Sequence, residues 1–422
     1  MSEAVTIRRR VLEHAPLPDL HPVVARVLAG RGVHDAAELD PSLANLAPPR
    51  LADIETAVRR LREALDRAER ILVVGDFDAD GATSVALAVR ALRAFGYAHV
   101  DYLVPNRFEY GYGLTPELVT LALERQPQLI LTVDNGIASH AGVAEARRHG
   151  IDTIVTDHHL PGPELPDACA VVNPNRDDCT FPSKHLAGVG VVFYLLIALR
   201  AALDSAGHFR SHPQGAPSLA TFLDLVALGT VADVVTLDRN NRILVEQGLR
   251  RIRARQASAG VDALLTTARR DPARAVAGDL GYAAAPRLNA AGRLADMALG
   301  IETLLAEDAA TAVARAQRLD ALNRERRDIE ADMRTQADAE LDRLRATLAS
   351  GHLPAGLTLY DERWHQGVIG ILAGRVRESV HRPTAVFADA GDGCLKGSAR
   401  SLPGLHVRDV LAGVDAQHPG LI

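Results

Sequence analysis

Short apolar segments alternate with helical segments through the middle of the chain, and this alternation limits the folds available to it. Four runs rich in β-branched residues are typical of strands, at Ile71–Val74, His99–Val104, Leu129–Val133 and Thr153–Thr156. Segments with apolar residues at helical spacing lie between them, at Gly81–Gly96, Thr115–Arg125 and Ser139–His149. Because strands joined through such helices run in the same direction, the pattern predicts a parallel sheet with helices on its faces.

Three of these strands end in acidic residues. The first strand is followed by Asp76, Asp78 and Asp80, the third by Asp134, and the fourth by Asp157, His158 and His159. The carboxyl ends of parallel strands form the ligand crevice of an open sheet, so we expect five carboxylates and two imidazoles at one edge. Packed carboxylates repel each other unless they are protonated or bridged by cations. The set therefore favours two divalent metals with one bridging carboxylate, as in two-metal hydrolases.

Other interpretations of the same segments explain less. Asp76–Gly81 resembles the first half of a calcium loop, but its twelfth position is Leu87 rather than Glu, and a strand precedes it. A phosphatase with a nucleophilic aspartate after the first strand would leave Asp157–His159 unexplained. Asp134–Gly136 alone is an ordinary turn sequence, and Asp157–His159 alone is compatible with a capping cluster. The order and strand-end placement of all three are more specific than any one.

The second half of the sequence is mainly helical and then returns to α/β alternation. Buried helices are expected at Gly188–Leu203 and Leu219–Leu228. Thr311–Leu348 contains no Gly or Pro and alternates charges, which predicts a solvent-exposed helix connecting two lobes. A second lobe is expected from three further segments, at Leu357–Leu359 (strand), Val368–Val376 (helix) and Thr384–Phe387 (strand).

Composition excludes several classes of protein. The 422 residues carry a formal charge of −6, which argues against nucleic-acid binding by bulk positive charge but allows a local basic groove. All but two of the 47 basic residues are arginine, the exceptions being Lys184 and Lys396. Three cysteines without a CxxC pair favour a reducing compartment. The apolar run Ala187–Leu199 is shorter than a membrane span, so we expect a cytoplasmic protein without membrane association.

Four motifs together resemble those of the DHH phosphoesterase family. They are Gly75–Gly81, Val133–Gly136, Asp157–His159 and Gly229–Val234. Four further segments resemble the branch of that family that degrades single-stranded DNA from the 5′ end, namely Val104–Gly113, Pro286–Arg293, Trp364–Gly370 and Gly397–Ser401. The similarity runs from about residue 45 to the last residue.

The resemblance implies an α/β fold, in which a parallel-sheet DHH catalytic domain is joined by a long helix to a smaller, incomplete α/β domain. The expected divisions are an N-terminal extension (1–50), the catalytic domain (51–305), the connecting helix (306–350) and a DHHA1-like substrate-binding domain (351–422). Members of the family continue with more of this second domain and an OB-type nucleic-acid-binding domain. We therefore expect the second domain to be incomplete in this sequence.

The resemblance also assigns roles to the strand-end residues. The expected metal ligands are Asp78, Asp80, Asp134, His158 and Asp233. Asp134 would bridge two ions, and Asp76 would shape the cluster or complete a coordination shell. His159 would point to the scissile phosphate, with Asp157 orienting the imidazoles. Val74 stands where some members carry a histidine ligand. Mixed imidazole and carboxylate ligands suit Mn²⁺ at least as well as Mg²⁺, so either is the expected cofactor, with two ions bound.

Substrate recognition is expected from cationic and aromatic side chains, which grip phosphates and stack on bases. The implied residues are Arg107, Tyr112, Arg287, Asn289, Arg293, His365, Ser398 and Arg400. A purely structural role is an open alternative for Tyr112, His365 and Ser398, and Trp364 is equally compatible with a core position. Single-stranded DNA is the implied partner, and single-strand-binding proteins or helicases are further partners that the family resemblance suggests.

Three functions are compatible with these observations. The main hypothesis is a metal-dependent 5′→3′ exonuclease that hydrolyses single-stranded DNA in repair and recombination. The alternative is a DHH phosphodiesterase acting on short oligoribonucleotides or cyclic dinucleotides. A non-enzymatic scaffold is disfavoured, because every motif carboxylate and both histidines are present.

Overall fold

The computed structural model of the chain describes residues 11, 17, 19–106, 110–212, 215–347, 354–391 and 393–418. Two sheets are present among these residues. The strands of the first are β1 (Ile71–Val74), β2 (Val100–Leu103), β3 (Leu129–Val133), β4 (Asp152–Thr156) and β5 (Ala170–Val172). Those of the second are β6 (Leu357–Tyr360), β7 (Thr384–Gly391) and β8 (Cys394–Arg400).

Fifteen α-helices accompany these strands in the described residues. Up to residue 305 they are α1 (Pro22–Ala29), α2 (Ile54–Asp66), α3 (Ala79–Ala94), α4 (Pro116–Leu123), α5 (His140–Arg148), α6 (Gly188–Ser205), α7 (Leu223–Ala232), α8 (Arg239–Arg253), α9 (Ala259–Thr267), α10 (Ala277–Asp279), α11 (Ala285–Leu294) and α12 (Ala298–Leu305). The remaining three are α13 (Ala309–Thr347), α14 (Ile369–Val380) and α15 (Val407–Gln417). A π-helical turn, Leu280–Ala284, joins α10 to α11.

The first sheet is wholly parallel, with the strand order β2-β1-β3-β4-β5, so the predicted fold class is confirmed. Alternate residues of β1 face opposite layers, as the two-residue period of a strand requires. Ile71 and Val73 join a large core with α2, α3, α6 and α7. Leu72 and Val74 join a smaller core with α4 and α5 on the other face.

The strand order places a crevice at the carboxyl ends of β1 and β3. From β1 the chain crosses to β2 on one side, and it then returns to β3 on the other side. Ligands of open parallel sheets bind at such a switch point, because the loops diverge there. The motifs that begin at Gly75 and at Asp134 both start at this point.

The long helix α13 packs along much of its length. Its N-terminal half contributes Ala312, Ala316 and Leu319 to the large core, and its C-terminal half contributes Met333 and Leu341 to the core of the second lobe. The predicted helix is therefore present, but the expectation that it is solvent-exposed is wrong for this stripe. Alternating charges occupy the other faces and conceal the stripe in the sequence.

The second lobe is a mixed sheet with α14 packed on it. Strands β6 and β7 are parallel, whereas β7 and β8 form an antiparallel hairpin. The predicted strands at Leu357 and Thr384 are present, and β8 and α15 were not predicted. Strand β8 was not predicted because the segment Leu395–Ser398 is too weakly apolar to indicate a strand.

Helix α6 is the one described helix long and apolar enough to cross a membrane by length and composition. It continues past Arg200 to Ser205, beyond the expected end of the apolar run. Val191, Tyr194 and Leu195 are nearly inaccessible to solvent and belong to the large core. The packing therefore accounts for its apolar composition.

Removing a core leucine should destabilise the sheet domain. Leu87 of α3 is fully buried, so Leu87→Ala should lower the free energy of unfolding by about 2–5 kcal/mol. Leu160 is 61% exposed, and Leu160→Ala should change it by no more than about 0.5 kcal/mol. Thermal and urea unfolding of both variants measure the difference, and equal stabilities would contradict this packing.

Candidate metal centre and adjoining cleft

The first acidic motif is held by the start of α3. The Asp78 carboxylate caps this helix by accepting a hydrogen bond from the Gly81 amide at 2.9 Å. Asp80 lies in the first turn and is almost completely buried. Its carboxylate accepts hydrogen bonds from the amides of Gly188 at 2.6 Å and Val189 at 3.0 Å, at the start of α6. Both carboxylates are thus fixed by backbone amides.

Asp134 lies immediately after β3 in a left-handed backbone conformation, with φ of 63°. Such a conformation is strained for most residues, but Asp and Asn tolerate it better than others. Gly188 packs against its side chain so closely that a Cβ there would lie 2.6 Å from Asp134 Oδ1. A glycine is therefore required at the start of α6 to leave room for this carboxylate.

The third motif follows β4, and its two histidines have different partners. Asp157 is buried and accepts hydrogen bonds from the Ile137 and His158 amides and from His159 Nδ1, the last at 2.7 Å. The His158 side chain instead faces Asp134 and Asp233. Its Nε2 lies 3.1 Å from Asp134 Oδ1 and 3.6 Å from Asp233 Oδ2. Asp233 reaches this point from the C-terminal end of α7.

The side chains form three overlapping sets whose candidate ligand atoms lie within 4.8 Å of one another. The sets are Asp76 with Asp78 and Asp134, Asp80 with His158 and Asp233, and Asp134 with His158 and His159. All predicted ligands therefore come together, and Asp134 and His158 each belong to two sets; of these two, only the Asp134 carboxylate has two oxygens with which to bridge ions. Asp76 joins the first set directly, which fits its expected role of completing a shell.

The electrostatics of the cluster fit divalent cations. Burial, and after it the charges of neighbouring carboxylates, raise the pKa of Asp80 and Asp134 well above the ordinary value. Burial and the charge of Asp78 raise the pKa of Asp233 to about 7. Buried Asp134 Oδ1 and His158 Nε2 make no hydrogen bond within the described structure. A bound Mn²⁺ or Mg²⁺ would supply a partner for these two ligand atoms and would offset the repulsion among the carboxylates.

The two histidines differ in protonation. Burial, together with the charge of His159, lowers the pKa of His158 to about 4, so its imidazole is neutral and has a lone pair for a metal. Burial alone would lower the pKa of His159 as well. The hydrogen bond and charge of Asp157 outweigh it and raise the pKa of His159 to about 9. His159 is thus a cation at the mouth of the cluster, with 46% of its side chain exposed.

Tyr112 lies over the mouth of the cluster beside His159. Its hydroxyl is 3.3 Å from His159 Nδ1, and its ring contacts the His159 and Phe77 rings edge to face. Burial, followed by the charges of Asp76 and Asp157, raises the pKa of the Tyr112 hydroxyl, which therefore stays protonated. Arg107, the other predicted residue of this loop, lies outside the described residues.

A cavity of about 230 Å³ lies between the two lobes and opens beside Asp78. Its lining includes Arg293 and Asn289 from α11, and Ser398 and Arg400 from β8. Burial and the charge of Arg377 lower the pKa of Arg400. The cavity brings together four of the predicted substrate-binding residues.

Two further polar side chains of this cavity were not predicted. Lys396 and Gln366 also line it. The signal was available for Lys396, which directly precedes the Gly397–Ser401 motif and is one of only two lysines. The lobes meet at its edge, where Arg293 donates a hydrogen bond to the Gly367 carbonyl at 3.2 Å.

Arg287, which was predicted to bind phosphate, lies outside the cavity lining in this structure. Its guanidinium pairs with Asp320 of α13 at 2.6 Å and donates to the Ala283 carbonyl. The residue is only 9% exposed and does not line the cavity. An arginine already neutralised by a carboxylate and enclosed by packing stabilises the contact between α11 and α13 instead.

Residues of the Trp364–Gly370 motif divide between core and cleft. Trp364 is buried, and its indole donates to Gln336 of α13 at 2.8 Å, so the core alternative holds for this residue. His365 Nδ1 accepts from the Gly367 amide at 3.0 Å, which shapes the turn at the cavity edge. The structure does not place His365 among the residues that line the cavity.

A larger cavity, of about 650 Å³, lies near α1 and the segment that precedes α8. Its lining includes Leu28, Val33, His34 and Leu237, and none of the described acidic cluster borders it. The smaller cavity is therefore the candidate site, because it adjoins the acidic cluster and is lined by three cationic side chains, Arg293, Lys396 and Arg400.

Divalent metals should stabilise the protein through this cluster. After chelator treatment, saturating Mn²⁺ should raise Tm by about 5 °C or more, because a ligand present at 100 times its Kd adds about 2.7 kcal/mol. Asp134→Asn keeps the left-handed backbone acceptable and removes one repelling charge. The metal-free variant should therefore be at least as stable as metal-free wild type, but its Mn²⁺-dependent shift should fall by more than half.

The matched control is Asp204→Asn, at an exposed aspartate near the end of α6. Its metal-dependent shift should equal that of wild type in differential scanning fluorimetry. An undiminished shift in Asp134→Asn would contradict the assignment of the cluster.

Comparison with known proteins agrees with this geometry. The sequence model of the DHH family, N-terminal domain, matches residues 70–230, and that of the DHHA1 domain matches residues 354–420. The chain is 56% identical over 427 residues to the single-stranded-DNA-specific exonuclease RecJ of Dickeya dadantii, covering 100% of this chain and 73% of that protein. It is 54% identical over 428 residues to the RecJ of Escherichia coli, with the same two coverages.

Solved structures of RecJ proteins share the fold. A crystal structure of exonuclease RecJ bound to manganese is 36% identical, with a TM-score of 0.70, covering 86% of this chain and 85% of that one. The RecJ of Thermus thermophilus in complex with Mn²⁺ is 35% identical, with a TM-score of 0.75 and coverages of 93% and 54%. The complex of the same protein with Mg²⁺ is 31% identical, with a TM-score of 0.66, covering 94% of this chain and 51% of that one. On these similarities, the chain belongs to the RecJ family.

Proposed function

We propose that this chain is a metal-dependent exonuclease that hydrolyses phosphodiester bonds of single-stranded DNA from the 5′ end, in DNA repair and recombination. The observation that carries the proposal is the acidic cluster at the sheet edge, which opens beside a cavity lined by arginine and lysine. The names of the relatives, single-stranded-DNA-specific exonucleases at more than half identity, support this function over the cleavage of oligoribonucleotides or cyclic dinucleotides.

Two ions of Mn²⁺ or Mg²⁺ fit the residues of the cluster. Asp76, Asp78 and Asp134 would hold one ion, and Asp80, Asp134, His158 and Asp233 the other. When bound, the pair supplies positive charge that stabilises the attacking and leaving oxygens of an in-line displacement at phosphorus. The solved RecJ structures with manganese and magnesium support this choice of metals.

His159 would act on the scissile phosphate from the mouth of the cluster. The hydrogen bond and charge of Asp157 raise the pKa of His159, and the same hydrogen bond fixes the ring through Nδ1. The other nitrogen, Nε2, lies 3.4 Å from the Tyr112 hydroxyl and would donate a hydrogen bond to a phosphate oxygen, where negative charge develops. Tyr112 covers one side of this ring and restricts where the phosphate can lie.

The cavity between the lobes would receive the terminal phosphate of the strand. Arg293, Lys396 and Arg400 surround a volume of about 230 Å³, and Ser398 and Asn289 supply uncharged polar groups. A terminal phosphate carries more charge than an internal diester and fits an enclosed basic cavity better. Attack near a held chain end releases short products, which is the behaviour of an exonuclease.

The division of the chain accompanies this proposal. We propose that residues 51–305 form the catalytic domain, that residues 306–350 connect it to the substrate-binding domain of residues 351–422, and that residues 1–50 are an extension. A cytoplasmic location is supported by the unpaired cysteines Cys169, Cys179 and Cys394. Binding to single-strand-binding proteins or helicases stays a prediction from the family resemblance.

Digestion of end-labelled DNA tests the activity. With Mn²⁺ present, the protein should release labelled mononucleotides from the 5′ end of single strands before any 3′ label is lost, and it should leave duplex DNA largely intact. Asp134→Asn should reduce the rate by at least about 10³-fold, because charge stabilisation at the reacting phosphate is the largest catalytic contribution.

The exposed variant Asp204→Asn serves as the control for this assay and should digest DNA at the wild-type rate. Earlier loss of the 3′ label would overturn the proposed polarity, and full activity in Asp134→Asn would overturn the metal mechanism.

Recognition of the terminal phosphate should depend on Arg400. Arg400→Gln should raise the KM for 5′-phosphorylated single strands about tenfold or more and should change the KM for 5′-hydroxyl strands much less, since the lost interaction is with the phosphate. Arg334 of α13 is 59% exposed and lies outside the cavity lining, so Arg334→Gln is the matched control. Equal effects on both kinds of strand end would contradict this role.

A further inference from the structure

The most exposed aromatic side chain among the described residues is Tyr282, with 85% of its surface accessible. It occupies the middle of the π-helical turn between α10 and α11. A π-helical turn is uncommon and occurs frequently at functional sites. An uncovered tyrosine on such a turn contributes nothing to the core, so its presence calls for an explanation outside folding.

The π-helical turn lies against the end of α7 that carries Asp233. A Cβ added to Gly281 would lie 3.1 Å from Val231 Cγ1, two residues before Asp233. Val234 follows Asp233 at once and is also 85% exposed. Its φ of 62° places a β-branched residue in the left-handed region, which is a true conformational outlier. Strain of this kind is typically kept at functional sites.

Helix α11 connects this turn to the cleft between the lobes. Asn289 Oδ1 accepts a hydrogen bond from the Ala79 amide at 2.8 Å, and Gly292 packs so closely on Phe77 that a Cβ would lie 1.8 Å from its carbonyl oxygen. The helix therefore runs beside the acidic cluster, from the Asp233 side to the Asp78 side. At 1.5 Å per residue, Tyr282 and Asn289 are separated by about 10 Å along its axis.

These contacts place two different surfaces at the two sides of the cluster. The cationic cavity borders Asp78, whereas the π-helical turn that carries Tyr282 packs on Val231 near the end of α7, and exposed Val234 directly follows Asp233. A single strand whose terminal phosphate enters the cavity must pass the cluster to be cut, and its next nucleotides then leave on the Asp233 side. Unpaired bases are covered most favourably by aromatic and apolar faces.

We propose that Tyr282, together with Val234, forms a base-stacking face on the Asp233 side of the cluster, which holds the nucleotide that follows the scissile bond of a single strand. This inference rests on the proposed function. Stacking on an exposed ring needs an unpaired base, so the same face favours single strands over duplexes. Because Tyr282 has no described role in the core, its contribution is to substrate binding.

Equilibrium binding to a 5′-phosphorylated single strand, with Ca²⁺ in place of Mn²⁺ to limit hydrolysis, tests this face. Tyr282→Ala should weaken binding about 5- to 100-fold, which is the effect of losing one base–aromatic stack. Tyr282→Phe keeps the ring and should bind within about twofold of wild type. A 2-aminopurine scanned along the strand should be quenched at one position in wild type, and that quenching should disappear in Tyr282→Ala alone.

The matched control is Tyr360→Ala, since Tyr360 is another exposed tyrosine, on β6 of the second sheet, with 52% of its surface accessible. It should bind as wild type does. In Mn²⁺-dependent digestion, Tyr282→Ala should raise KM with kcat changed less than about twofold, whereas a merely structural effect would lower Tm and kcat together.

The outcomes separate this inference from the function on which it rests. If wild type digests single strands but Tyr282→Ala binds them as tightly as Tyr360→Ala, the stacking face is overturned and the exonuclease stands. Loss of binding in Tyr282→Phe equal to that in Tyr282→Ala would also overturn it, because the ring would then not be the binding group. Failure of wild type to bind or digest single strands would overturn both the stacking face and the exonuclease function.

Discussion

Repulsion among carboxylates at one edge of the parallel sheet is the constraint on which the rest of the structure depends. Asp80 and Asp134 are almost fully buried, and burial and mutual repulsion both oppose their ionisation. The fold nevertheless holds them together by fixed backbone contacts. Two amides of α6 bind Asp80, and a glycine at the start of that helix makes room for Asp134. Such an arrangement is stable at neutral pH when cations complete it.

The same cluster organises the elements around it. Helix α11 lies against the first motif through Asn289 and Gly292, and the long helix α13 supports α11 through the pair Arg287–Asp320. The second lobe then packs on the far half of α13, where Trp364 bonds to Gln336. Through this succession of contacts, the cationic cavity of the second lobe is held beside the acidic cluster. With cations bound in the acidic cluster, a phosphate that lies between the cluster and the cavity would meet positive charge on both sides.

Agreement between prediction and structure is greatest where the signal is local. The strands Ile71–Val74 and Leu129–Val133 have the predicted bounds, because a buried parallel strand is a short continuous apolar run. Helix α3 begins two residues earlier than predicted, since Asp78 caps it. Strand β8 and helix α15 were missed because a half-exposed hairpin and a surface helix show weak periodicity.

The structure brings all the predicted metal ligands together but places only four of the predicted binding residues at the cavity, and the reason is physical. A metal ligand is recognisable by its type and its place after a strand, whereas an arginine has the same sequence signal whether it binds a phosphate or a carboxylate. Arg287 pairs with Asp320, which is 33 residues away in sequence, and only the packing of α11 on α13 shows that this arginine is engaged. Tyr282 was overlooked because its exposure depends on how distant segments pack around the π-helical turn.

By itself, the sequence determined the parallel sheet, the strand-end cluster and the residue types that suit Mn²⁺ or Mg²⁺, since each of these follows from short-range pattern and from the common direction of parallel strands. Tertiary structure alone decided which arginines line the cavity, where the second lobe lies and how far the Tyr282 side chain is exposed. Those properties arise from packing between segments far apart in the chain, where one ion pair or one close glycine contact determines whether a side chain faces the core or the substrate.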